Sequence, residues 1–185
     1  MLIKFSDETI DAAALRALPG AGATGPQGLR LYHAVEHAET YAWLDAPVDA
    51  AALQAALRER HPRAQAVSLA LTTDVAGQAA GQAAPWFYMV ETDIKPGAEA
   101  DFDRWYEEEH LPGLAAVPGT VRARRYLARE GSPRYYACYD LATRDTFGSP
   151  AWLAVRATDW SSRVRPNFTN TKRTMFRLVQ NASEA

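Results

Sequence analysis

The chain has 185 residues, 48% of them hydrophobic, with a net charge of −2, which is enough for one full domain or two small ones with a real core. Charges of both signs are spread throughout, so neither a nucleic-acid surface nor an anionic lipid surface is recommended as a partner. The single cysteine, Cys138, excludes an intrachain disulfide, and the four histidines do not fall at metal-ligand spacing around it, so no metal site is expected.

At the start, MLIKF (Met1–Phe5) is too short an apolar run for a signal peptide, and no later segment approaches a membrane span. The expected setting is the cytoplasm. Met1–Phe5 reads as a strand and Asp7–Leu18 as a helix capped by Ser6 or Asp7. Gly28–Glu36 and Thr40–Ala46 read as a hairpin, Asp49–Arg60 as an Ala/Leu helix stopped at His61-Pro62, and Ala64–Thr72 as a strand. His33 and His37 share a strand face but lie roughly 13 Å apart, too far for a metal pair.

The stretch VAGQAAGQAAP (Val75–Pro85) is small, uncharged and repetitive, as a linker is. It divides the chain into residues 1–75, a linker at 76–85, and residues 86–185. In the third part, Trp86–Ile94 is β-rich and ends at the turn Lys95-Pro96-Gly97, before a helix over about Ala98–Leu111. Gly119–Arg129 and Arg134–Leu141 form a hairpin, a second helix starts near Thr146, and Lys172–Val179 closes as a strand. The order β-α-β-β-α-β is the ferredoxin-like pattern, and residues 1–75 give a degenerate copy of it. The expected class is therefore α+β, with two tandem ferredoxin-like units.

Within DFDRWYEEEHLPG (Asp101–Gly113), Phe102, Trp105, Tyr106 and Glu109 fall on one helical stripe, with His110 at its margin. Pro112 disfavours helical geometry at Leu111, which puts His110 in the last turn, where the helix dipole favours an imidazolium. In the plainer alternative, His110 only ends a helix and Glu109 pairs with an arginine on the next strand.

Phe102-x-x-Trp105-Tyr106-x-x-x-His110-Leu111-Pro112, then Val117-Pro118-Gly119 and the strand Arg122–Tyr126, resembles the dimeric α/β-barrel superfamily, nearest to its EthD-like branch. The resemblance spans about Trp86–Val179. It implies two ferredoxin-like sheets packed into a barrel, within one chain or across a homodimer, with a pocket between each sheet and its helices. It also implies a small-molecule ligand. His110 alone corresponds to the family's recurrent helix histidine, and the proximal histidine of the haem-degrading members has no counterpart.

On these grounds His110 is expected as general acid/base, with Glu109 or Tyr106 orienting it. Arg124 is expected to hold an anionic group, and Tyr126, Trp105, Tyr88, Tyr136 and Trp152 to line the site; the alternative is that the aromatics simply fill the core. No nucleotide or hydrolase motif is present. The expected function is cofactor-independent acid/base chemistry (isomerase, cyclase or dehydratase) or oxygenation of a small apolar or carbonyl-bearing compound. A non-catalytic ligand-binding or assembly protein is the alternative.

Overall fold

The computed structural model describes residues 1–21, 28–45 and 49–180; Ala46, expected to end a strand, lies outside them. The chain forms two compact units. The first comprises residues 1–69 and 176–185, the second residues 70–175.

In the first unit, β1 (Leu2–Ser6), β2 (Leu29–Ala34), β3 (Glu39–Leu44) and β4 (Gln65–Val67) form an antiparallel sheet in the order β4-β1-β3-β2. Residues 176–180, the end of the chain's last strand, lie antiparallel to β2. α1 (Ala12–Arg16) is shorter than expected, and its cap is Asp11, whose carboxylate accepts from the Ala14 N–H at 2.7 Å. α2 (Ala50–Arg60) is capped by Asp49 in the same way. Both helices cover one face of the sheet through Leu15, Leu53 and Leu57, against Ile3, Phe5 and Leu31. His33 contacts the Ile10 carbonyl at 2.9 Å and His37 the Glu39 carboxylate at 3.0 Å, so each histidine is engaged separately.

The second unit begins within β5 (Leu69–Ala76), which the break at Ser68 separates from β4. Residues 77–79, in the stretch read as a linker, dock against the start of a later strand of the same unit and the helix before it, and Ala80 and Gln82 turn back onto Gly77 and Ala79. Gly77 and Ala79 donate to the carbonyls of Val121 and Thr120 at 2.9 and 2.8 Å. A β-carbon on Gly77 would stand 2.0 Å from the Thr120 carbonyl oxygen, so only glycine permits this approach. β6 (Trp86–Ile94) follows, then a helical segment made of α3 (Glu99–Trp105), a π-turn (Tyr106–His110) and α4 (Leu111–Ala115). β7 (Thr120–Ala128), β8 (Tyr135–Leu141), α5 (Pro150–Arg156), α6 (Asp159–Val164) and β9 (Phe168–Gln180) as far as Met175 complete the unit. Its strand order is β9-β6-β8-β7-β5. The first four of these repeat the 4-1-3-2 order of the first unit, so both are ferredoxin-like.

The register Tyr88↔Tyr139 and Ala123↔Tyr139 puts Tyr88, Val90, Ala123, Ala137 and Tyr139 on the face that packs against the helices. There Arg125 sits 4.7 Å from the rings of Phe102 and Tyr106 and pairs with Asp103 at 2.5 Å. Among the described residues no helix is long and apolar enough to cross a membrane.

Candidate functional site

The site is built on the break in the first helical segment. Pro112 was expected to stop the helix, yet helical geometry continues to Ala115. The π-turn explains this. The Leu111 N–H reaches back five residues to the Tyr106 carbonyl, and the widened turn accommodates a ring that an unbroken α-helix would exclude. Residues five apart then lie one above the other. His110 therefore moves from the margin of the stripe onto Trp105, with ring centroids 4.0 Å apart and planes 21° from parallel.

His110 is thus in mid-helix, 6% exposed, not at a helix C-terminus. Its pKa falls to about 3, chiefly by burial and then by the charges of Arg156 and Arg165. At neutral pH it is an uncharged imidazole, which overturns the expectation of an imidazolium favoured by the helix dipole.

Trp105 is fixed from its other side. Its Nε1–H donates to Glu109 Oε1 at 3.1 Å and to Ser161 Oγ at 3.3 Å. The same Glu109 oxygen accepts from the Thr158 hydroxyl at 2.7 Å, while Thr158 caps α6 by accepting from the Ser161 N–H at 3.0 Å. Glu109 therefore acts on His110 through Trp105, and pairs with an indole and a hydroxyl where an arginine was the alternative. α5 is capped by Ser149, which accepts from the Trp152 N–H. It lies close to α4 because Gly113 leaves room for Val155, whose Cγ1 would be 2.8 Å from a β-carbon there.

Between helices and sheet these elements enclose a cavity of about 30 Å³. Tyr88, Trp105, Tyr106, His110, Tyr139, Trp152 and Phe168 form its aromatic wall, and Arg156, Arg165 and Arg173 its rim. Three buried polar atoms on this wall have no hydrogen-bond partner: His110 Nδ1, Tyr139 OH and Trp152 Nε1. An unpartnered buried polar atom costs about 1–3 kcal/mol, so three on the residues of one cavity wall single this region out. Burial raises the pKa of Tyr88, Tyr106 and Tyr139, so all three remain neutral phenols and hydrogen-bond donors. Among the described residues, no three His, Cys, Asp or Glu side chains converge to hold a metal ion.

No family model and no curated protein sequence matches the chain. Solved structures do. A haem-degrading enzyme from Listeria monocytogenes superposes with a TM-score of 0.60 at 6% identity, covering 96% of this chain and 99% of that one. An anthrone oxidase-like protein gives 0.59 at 14% identity, covering 99% and 92%. A monooxygenase-like protein from Listeria innocua gives 0.53 at 10% identity, covering 96% and 94%. The fold of the chain is α+β and ferredoxin-like, as in these structures.

Within this fold the expected site residues fall into two groups. His110, Tyr106, Trp105, Tyr88 and Trp152 meet at the helix-side cavity, with Glu109 behind Trp105. Arg124, Tyr126 and Tyr136 do not join them. Their register with Cys138 and Asp140 places them on the opposite face of the sheet, where Arg124, 6% exposed, pairs with Asp140 at 2.5 Å. Period-two alternation separates them from Tyr88 and Tyr139, so Arg124 is not this cavity's anion handle. The cations at its rim, Arg156, Arg165 and Arg173, come from the end of α5, the turn after α6, and β9. Each reads in sequence as a solvated charge. Tyr139 was likewise missed, although its alternation with Ala137 and Leu141 on β8 was a usable signal.

Proposed function

We propose that the chain is an enzyme acting on a small aromatic or carbonyl-bearing molecule in the helix-side cavity of its second unit, by oxygenation or proton transfer. The observation carrying this is that three of the residues lining one aromatic void, His110, Tyr139 and Trp152, each carry a buried polar atom without a hydrogen-bond partner. The names of the structural neighbours, among them a monooxygenase-like protein and an anthrone oxidase-like protein, tilt the choice towards oxygenation.

The residues present suit a carbon acid beside a carbonyl. Tyr139 OH and Trp152 Nε1–H donate to the carbonyl oxygen and stabilise the enolate, as donors in a dry site do. His110 Nδ1 takes the proton. The carbanion then reacts with O₂, a C–O bond forms, and loss of water leaves a new carbonyl, so that CH₂ + O₂ gives C=O + H₂O. Without O₂, returning the proton to a different carbon gives isomerisation. The motif from Phe102 to Pro112 supports an EthD-like affinity, and with it a homodimer, for which native mass spectrometry is the direct check.

Oxygen uptake with anthrone as probe tests the reading, comparing the native chain with Tyr139→Phe and His110→Gln. Uptake that falls about 10²-fold or more in both variants supports catalysis here. The depressed basicity of His110 favours the second reading, a ligand binder without turnover. Binding of anthrone with no uptake in any form would establish it.

A further inference from the structure

The rim of the cavity is more specific than its wall. Arg156, Arg165 and Arg173 stand together on three separate elements. Among the described residues none of the three forms an ion pair, nor do Arg129, Arg134 and Arg144, whereas Arg104, Arg122, Arg124, Arg125 and Arg163 of the same unit pair with Glu108, Asp74, Asp140, Asp103 and Asp101. What sets Arg156, Arg165 and Arg173 apart is that they line one cavity. Their crowding is felt. The pKa of Arg165 is lowered by burial and then by the like charges of Arg156 and Arg173.

We propose that the substrate is an aromatic carboxylate, its carboxylate held by Arg156, Arg165 and Arg173 and its ring directed inward, with a hydroxyl or carbonyl oxygen meeting His110, Tyr139 and Trp152. The inference rests on the cavity being the working site, as argued above. Planar guanidinium forks match a carboxylate by paired N–H···O bonds, and a flat ring matches walls made of Tyr88, Trp105 and Trp152. The enclosed space of about 30 Å³ holds only one or two waters. A ring therefore enters only if the buried aromatic wall moves as well as the rim, where Arg165 and Arg173 are exposed, long side chains.

Seating the carboxylate also changes the base. Two of the three causes that depress the basicity of His110 are the charges of Arg156 and Arg165. An anion between them offsets both and raises the basicity of His110, while burial, the largest cause, remains.

Calorimetric titration of the full chain with 1-hydroxy-2-naphthoate and with 1-naphthol, which lacks the carboxylate, tests this at low and moderate salt. The expected result is naphthoate binding about 10-fold tighter or more, the preference shrinking with salt. The double variant Arg156→Ala/Arg165→Ala should bring naphthoate to the affinity of naphthol and leave naphthol binding unchanged. Arg163→Ala, whose partner is Asp101, should alter neither. Equal binding of the two probes, or a preference that survives the double variant, overturns the carboxylate assignment and leaves the cavity reading intact. Binding of neither probe overturns both.

Discussion

The imidazole of His110 lies flat on the indole of Trp105, 4.0 Å between centroids, and this stack is made by the π-turn between them. His110 is therefore a packed residue as well as a chemical one. His110→Ala should leave a void and cost about 2–4 kcal/mol, confusing lost activity with lost fold. His110→Phe keeps a ring on Trp105 and should stay within about 1.5 kcal/mol of the native chain while losing turnover. Urea denaturation of the two variants checks this. Equal stabilities would show that the stack contributes nothing.

Acid should unfold the chain partly through this residue. In the folded state His110 titrates near about 3, below the ordinary value of 6.5. Between those values the unfolded chain binds the proton and the folded chain does not, so stability rises with pH across that window and is lost as pH falls through it. The loss approaches about 1.4 kcal/mol per pH unit within the window. Unfolding free energies at pH 7 and pH 4.5 should differ by about 2–3 kcal/mol more in the native chain than in His110→Phe. Parallel profiles would contradict the burial of His110.

Glu109 should act as a positioning residue. Glu109→Gln retains an oxygen for the Trp105 N–H and the Thr158 hydroxyl and should be nearly neutral. Glu109→Leu removes both bonds and should cost about 1–3 kcal/mol. It should also change the tryptophan emission, since the Trp105 indole then keeps only Ser161 as partner. Identical emission in the two variants would separate Glu109 from Trp105.

Gly77→Ala should be costly for a position in a stretch that reads as a spacer. The new methyl would meet the Thr120 carbonyl oxygen at 2.0 Å, and the bonds of Gly77 and Ala79 to β7 would break. A loss of about 2 kcal/mol or more is expected, against little change for Gln82→Ala at an exposed position of the same stretch. Thermal unfolding of both variants decides it.

Elements with a strong local signal were legible in the sequence. β6 runs over Trp86–Ile94 as its β-rich composition and following turn require, and the βαββαβ order of the second unit is present. The helix was legible in its aromatic face but not in its phase, because a uniform 100° per residue has no means of showing a π-turn. Hence His110 was placed at a margin and an end when it is buried in mid-helix. Arg124 was legible as a strand cation, but not which face of the sheet the cavity would occupy. Arg156, Arg165 and Arg173 could not be grouped, because only the tertiary fold brings the end of α5, a turn and β9 to one rim.

The central claim is that the helix-side cavity of the second unit receives the ligand. The most direct measurement is the imidazole NMR spectrum of the full chain titrated with 1-hydroxy-2-naphthoate, with the His110 signals assigned by their absence in His110→Phe. The account predicts that His110 shifts and its titration midpoint rises, while His33, His37 and His61 of the first unit stay where they are. Saturable binding that leaves His110 unmoved would place the ligand elsewhere and contradict the account.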